Sequence, residues 1–501
     1  MKISGFFMAV AVAAGVLLGG CGGMDDYSVS PNDRLAFSTD TLRFDTVFTS
    51  VGSATGYFMI YNRNDEALRI SRISLASGGK SGFRINVDGR RGDVFEDIGI
   101  WKKDSLYVAV EVTVDPDDRG RPFVVYDSVV FVTNGVSQVV VLEAYGQNVH
   151  VLRDAVFDRD TVLGADLPYL VYGSVVIEEG ATVKVSEGVE FYHHKGGWWN
   201  VKGTLRAEGS RDRPVVFRGD RLGYFSTTLS YDYVSAQWEG LYFAPGSFDN
   251  VLSYVEIRNG ISGVYCDASS PERKKLDIRF SQIRNMDGNV LWAENCFIEA
   301  SNSEFANASA YLVMLAGGRQ RFVHCSLVNY MPDAMVSNKV ARSARSLTLS
   351  DNVVYVYEAT GEVVTVVYPL LEARFDNCIV DGNMKADSSE LLMSSVGEVF
   401  DFRFNHCFVK SKQREGDEFT DCLFGASPEY VKSVPKMAAE PGEGERYDYV
   451  YDFRPAEGSV VIGRADMAVA AEFPYDRYGV GRRAGDGGAS IGAYEYAGDE
   501  E

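Results

Sequence analysis

Cations are in short supply in this sequence. Lysine and arginine number 49 against 70 aspartates and glutamates in 501 residues, a formal net charge of −21. Phosphate binding needs clustered cations and no basic stripe appears, so nucleic acid is not an expected partner. Cysteine is scarce as well, with seven residues and no C-x-x-C pair, which removes the usual zinc framework; no metal or cofactor is expected. The longest apolar run, Phe6 to Leu18, falls short of the ~20 residues that span a bilayer. Helical periodicity does not recur beyond it, which excludes a helix bundle. What is present points to strands. The 50 glycines, 28 tyrosines and many valines fall into short alternating runs, the pattern of an all-β chain.

The first residues read as a leader. Lys2 is followed by the apolar run and then by the small residues Gly19 and Gly20, so residues 1–20 are expected to be a signal peptide. Leu18-Gly19-Gly20-Cys21 resembles a bacterial lipobox, which implies a lipid on Cys21, an acylated tether over 21–34 and the membrane as a partner through acyl chains. Asp25 and Asp26 are similar to the surface-export signal of Bacteroidetes-type lipoproteins. That resemblance implies an outer-membrane lipoprotein displayed on the cell surface; the glycines and Met24 before the acids leave the periplasmic face open.

Residues 35–148 contain strand-length runs such as "GYFMIYN", "ALRISRISL" and "DSVVFVTNG", with a hairpin signal at Asn134-Gly135. Their spacing predicts a β-sandwich. "FDTVFTSVGSATGYFMIYNRNDEALRISRISL" resembles hydin-type immunoglobulin-like domains, which implies a spacer or a protein contact. Asp115 to Gly120 is acidic enough for calcium, but without fixed ligand spacing it reads as a turn.

From residue 149 a repeat takes over. "VEIRN", "SQIRN", "SEFAN" and "CSLVN" begin at 255, 281, 303 and 325, offsets of 26, 22 and 22. "DNVVY" at 351, "CIVDG" at 378, "CFVKS" at 407 and "CLFGA" at 422 continue it more loosely. Ile257, Ile283, Phe305, Leu327, Val353, Val380, Val409 and Phe424 form one apolar column, and a column of mostly small residues stands two places earlier on the same face. A repeat of this length with one strand in register predicts a stacked β solenoid. Asn259, Asn285, Asn307 and Asn329 follow the strands and are expected to stack at a turn; Asn302 lies outside that frame. The pattern resembles the asparagine ladder of right-handed parallel β-helices, the pectin-lyase-like fold, over residues 149–430. Residues 431–501, with "IGRAD", "YDRYGVGRR" and "IGAYEY", resemble the closing segment of such proteins and are expected to cap the fold. The expected architecture is therefore all-β: a β-sandwich, a right-handed parallel β-helix and a C-terminal cap. Cys325, Cys378, Cys407 and Cys422 fall in the small column and are expected to be buried thiols. The pairing of these four with Cys266 and Cys296 stays open.

Candidate chemistry lies on the outward positions Glu256, Arg258, Gln282, Arg284 and Glu304. Glu256 and Glu304 are two coils apart, near the spacing of inverting glycosidases, yet the neighbouring arginines make a solvated ion-pair ladder the simpler reading. If Trp199 and Val201 face inward, Trp198 faces outward and can stack on a sugar ring. His193 and His194 point to opposite faces and do not share a metal. The outward column turns apolar at Ile379, Phe408 and Leu423 and needs cover. The reading is a lipid-anchored protein that binds a polysaccharide or another surface protein through its β-helix without turnover. The alternatives are a β-helix polysaccharide lyase or glycoside hydrolase, with Glu256 and Glu304 as its acids, and an adhesin stalk.

Overall fold

In the computed structural model the described residues are 27–498 except 50, 54, 117–121, 224–228, 332–344, 358–359, 385–387, 426, 434–435, 439–445, 449–450 and 483–486. The leader, Cys21 and most of the Asp115 to Gly120 turn lie outside them. The chain divides into two compact units, Met1–Asn148 and Val149–Glu501.

The first unit is a β-sandwich. One five-stranded sheet contains Gly56–Tyr61, Phe83–Val87 and Ser105–Val112; the other contains Thr41–Phe48, Leu68–Leu75, Phe123–Thr133 and Val136–Gln147. Alternation puts Phe58, Ile60, Phe83 and Val110 of one sheet into a common core with Ile70, Ile73, Phe131 and Leu142 of the other. Asn134 and Gly135 close the long hairpin with φ of 52° and 77°, the double left-handed turn that an Asn-Gly pair adopts.

The second unit is a parallel β-helix. Its sheet system holds 26 strands, every pair of them parallel, and through the first half of the unit a strand pairs with the one three places later in the chain, so three sheets run along those coils. Ile257, Ile283, Phe305, Leu327, Val380, Val409 and Phe424 lie in direct register. Inside, Phe322, Phe375, Phe404 and Phe419 stack at 5.2, 4.6 and 5.3 Å, each ring filling the gap left by the coil before.

One expected coil is absent. "DNVVY" does not enter the stack: Asn352–Tyr357 pairs antiparallel with Glu362–Val367 as a hairpin, while Ser326–Asn329 pairs directly with Ile379–Gly382. Val353 is buried, but against Met314 and Ala316 outside the helix core. Five consecutive apolar residues, Val353 to Tyr357, satisfy a hairpin as well as a coil, and the Thr360-Gly361 turn decides for the hairpin, with Gly361 at φ 69°.

The left-handed corner of the coils lies one residue before the small column. Tyr254, Phe280, Asn302, His324, Asn377, His406 and Asp421 all have φ between 46° and 53°. From the third coil onward these are Asn, His or Asp, the residues that tolerate this conformation best. Asn259, Asn285 and Asn307 form a second such row at φ 69°, 59° and 59°. Asn329 adds backbone bonds to Ala308.

Candidate functional site

The face that carries Glu256, Arg258, Gln282, Arg284 and Glu304 is not an open stripe, which corrects the expectation of a solvated ladder. The C-terminal segment lies along it as a strap. Arg477 donates to Glu256 at 2.9 Å and to the Phe280 carbonyl at 2.9 Å. Gln282 donates to the Tyr494 hydroxyl at 2.7 Å, and that hydroxyl donates to Glu304 at 2.8 Å. Further along, Ile379 and Phe408 pack under Val461 and Ile491, so the apolar part of the column receives its cover from the same segment. The strap holds an α-helix, Met467–Glu472, whose N-cap Asp466 accepts from the Ala468 amide.

This cover changes the chemistry of the two acids. Burial pushes the Glu256 pKa up, but the guanidiniums of Arg284, Arg477 and Arg258 outweigh it and hold the carboxyl below its ordinary value. Glu304 is buried, and that burial raises its pKa. Gln282 stands in register between them, and the Tyr494 hydroxyl bridges Gln282 and Glu304. The remaining space, lined by Arg284, Glu304 and Phe453, is about 60 Å³, well below the ~300 Å³ of the smaller ligand sites.

The paired histidines are structural. His193 Nδ1 donates to the Arg218 carbonyl and Nε2 accepts from the Trp199 indole, each at 2.9 Å, and its ring stacks on Trp238 at 4.0 Å. Burial lowers its pKa to about 3, so it stays neutral. His194 points the other way and pairs with Asp220 at 2.7 Å. The six described cysteines are free thiols.

A different outward face, on the sheet that contains Trp198–Val201, remains half-open. Trp199 and Val201 are buried while Trp198 is partly exposed, because successive strand residues alternate. Trp198 lies 6.4 Å from Tyr242; Tyr242 stacks on Tyr265 at 5.5 Å and Tyr265 on Trp292 at 6.3 Å, the last two planes within 7°. Tyr242, Tyr265 and Trp292 are in direct register on successive coils. Two residues after Tyr265 and after Trp292 comes an acid, Asp267 and Glu294, while Ala244 holds that place after Tyr242. Tyr242 donates to Asp267 at 2.5 Å, Tyr265 to Glu294 at 2.7 Å and the Trp292 indole to Glu294 at 2.8 Å. Tyr355 of the hairpin also donates to Glu294. Burial, then the hydrogen bonds to these carboxylates, raise the pKa of Tyr242, Tyr265 and Tyr355. The row is a line of amphipathic rings with phenols held neutral. Asp267 and Glu294 sit on adjacent coils, ~4.8 Å apart at the backbone, and three donors already occupy the Glu294 carboxylate.

Of the binding residues expected from sequence, Trp198 alone joins this row; Tyr242, Tyr265, Asp267, Trp292 and Glu294 were missed. Their signal is present, since Tyr265-x-Asp267 and Trp292-x-Glu294 repeat one coil apart.

No protein-family model matches the sequence, and no curated protein is similar to it at a significant level. Solved structures similar to part of it include a family 123 glycoside hydrolase from Clostridium perfringens, at 8% identity and a TM-score of 0.17 over 24% of this chain and 26% of that one. The periplasmic chaperone SfaE matches at 14% identity and 0.16 over 23% and 57%. PapD-like domain 7 of human CEP192 matches at 11% and 0.16 over 26% and 95%. The chain thus spans about a quarter of the first and just over half of the second. Likeness at these scores carries no conclusion about activity.

Proposed function

We propose that the β-helix unit binds a polysaccharide, without cleaving it, along the row Trp198, Tyr242, Tyr265 and Trp292. The observation that carries this is the row itself: four half-buried rings at 5.5 to 6.4 Å on one outward face. Aromatic rings with a polar tip offer both apolar contact and a hydrogen-bonding edge, the two things a sugar needs. Repetition by one ring per coil suits a repeating ligand. The lyase or hydrolase alternative loses support because Glu256 and Glu304 lie beneath the strap. The anchor belongs to the same proposal and rests on the lipobox: Cys21→Ala should shift the protein out of the membrane fraction and stop lipid labelling, and a variant still labelled and pelleted would refute it.

The binding test is a glycan array on the purified ectodomain, with the parent beside Trp292→Ala and a reducing-end assay on every glycan that binds. Binding without product, weakened in the variant, supports the proposal. Product release that persists would make the protein an enzyme, and an array with no hits would favour a stalk.

A further inference from the structure

The last coil opens on a cavity that the aromatic row does not use. Its volume is about 620 Å³, within the ~300–1,000 Å³ of small-molecule sites. Lys410, Lys412, Arg414, Phe419 and Phe424 line it, and Asp421 is the one carboxylate among the lining residues. Glu415, Asp417 and Glu418 of the same loop are exposed and outside the lining.

Arg414 is the unusual member. In this acidic chain Arg213, Arg258, Arg374 and Arg477 each hold a carboxylate within 3.0 Å. Arg414 has none among the described residues. Its guanidinium, half-buried, lies 6.0 Å over the Phe419 ring, and its hydrogen bonds are two long ones of 3.4 Å to Ser389 Oγ and the Leu391 carbonyl. Burial lowers its pKa with no anion to offset the effect. A partly desolvated guanidinium with unused donors is costly unless an anion completes it. Lys410, by contrast, is engaged by the Gly382 carbonyl and lies 3.9 Å from Asp381, while Lys412 is exposed.

We propose that this cavity binds the anionic group of an acidic sugar. The planar fork of Arg414 takes the carboxylate or sulfate, Lys412 adds a second cation, and Phe419 with Phe424 supports the ring. The cavity volume favours a whole sugar over a bare ion. This site lies on the final coil, apart from the Trp198 to Trp292 row, and stands or falls separately from it.

Isothermal titration of the full chain with glucuronate, glucose and inorganic sulfate tests the proposal. Glucuronate should bind, more weakly as salt is raised, and glucose should not. Arg414→Gln should reduce glucuronate affinity about tenfold or more and Lys412→Gln by less, while Trp292→Ala leaves it unchanged. Lys412 is exposed, so its variant decides the matter should Arg414→Gln lose its circular-dichroism spectrum. Absence of glucuronate binding, or binding unchanged in both cation variants, overturns the proposal. Sulfate binding as tightly as glucuronate overturns the sugar assignment, and loss of glucuronate binding in Trp292→Ala would move the site to the row.

Discussion

Two outward flanks of one coil stack have different fates. On one, Gln282, Glu304, Ile379 and Phe408 are buried beneath the C-terminal strap; on the other, Trp198, Tyr242, Tyr265 and Trp292 stay half-open. Each flank carries both polar and apolar outward residues, so composition does not separate them. The difference lies in what a distant segment brings. Arg477 supplies the cation for Glu256, Tyr494 the hydroxyl for Glu304 and Ile491 the apolar lid for Ile379. A mixed outward face is therefore a seat for the rest of the chain on one side and a half-open surface on the other.

The sharpest way to break this comparison is the ion pair inside the strap. Arg482 lies 3.6 Å from Glu495 with side chains 0% and 3% exposed, and burial lowers its pKa to about 10 in spite of Glu495. Arg482→Met leaves the Glu495 charge enclosed and should cost about 3–5 kcal/mol in chemical denaturation. The same change at Arg213, half-exposed and paired with Glu187 at 3.0 Å, should cost no more than about 1 kcal/mol. Equal losses would mean that the strap is not a buried element.

The left-handed corners give the next test. Asn302 is 1% exposed, has φ 46° and accepts from Arg482 at 2.7 Å. It lies outside the ladder of Asn259, Asn285, Asn307 and Asn329 but belongs to the corner row. Asn302→Ala should therefore destabilise by about 1–3 kcal/mol, as should Asn307→Ala, while Gln413→Ala, at an exposed loop position, should leave the melting temperature unchanged. An inert Asn302→Ala would remove the corner row as a stabilising feature.

Much of this architecture was legible in sequence, and the residues show why. The column from Ile257 to Val409 depends on local alternation and a repeat, both of which a sequence displays directly. Asn134-Gly135 is a turn that few other residue pairs can make. Three things were hidden. The strap meets its flank across more than 200 residues, as between Arg477 and Glu256, and no period links them. The hairpin over 352–367 is as apolar as a coil strand. The aromatic row was visible as two aromatic-x-acid steps, but it competes with inward aromatic positions such as Phe217 and Phe243, which look alike until in and out are assigned.

Glu304 allows the cover to be tested by pH. Burial raises its pKa above the ordinary 4.5, so the folded state holds the proton more tightly than the unfolded one. Its contribution to stability is complete below pH 4.5 and is lost as the pH climbs through the folded value. Glu304→Gln, always neutral, lacks that loss, and its stability relative to the parent should grow as the pH is raised from 4 towards 8. A difference that is flat with pH would place Glu304 in contact with water.

The smallest expected effect bears on the open flank. Trp198 ends the aromatic row, touches Tyr242 at a tilt of 57° and a distance of 6.4 Å, and lies beside Gly240 rather than in register with the other three rings. Its indole makes the loosest of the row's contacts, so Trp198→Ala should disturb the fold little and leave the far-ultraviolet spectrum unchanged. Its stacking on a bound glycan should be worth about 0.5–1.5 kcal/mol, a loss of roughly two- to twelve-fold in affinity for any glycan the array identifies. Trp292→Ala, at the other end, also frees Glu294 from one donor and should cost more binding. If both substitutions leave affinity unchanged while the fold holds, the row is a stacking ladder that stabilises the coils, and the polysaccharide, if bound, rests elsewhere on the unit.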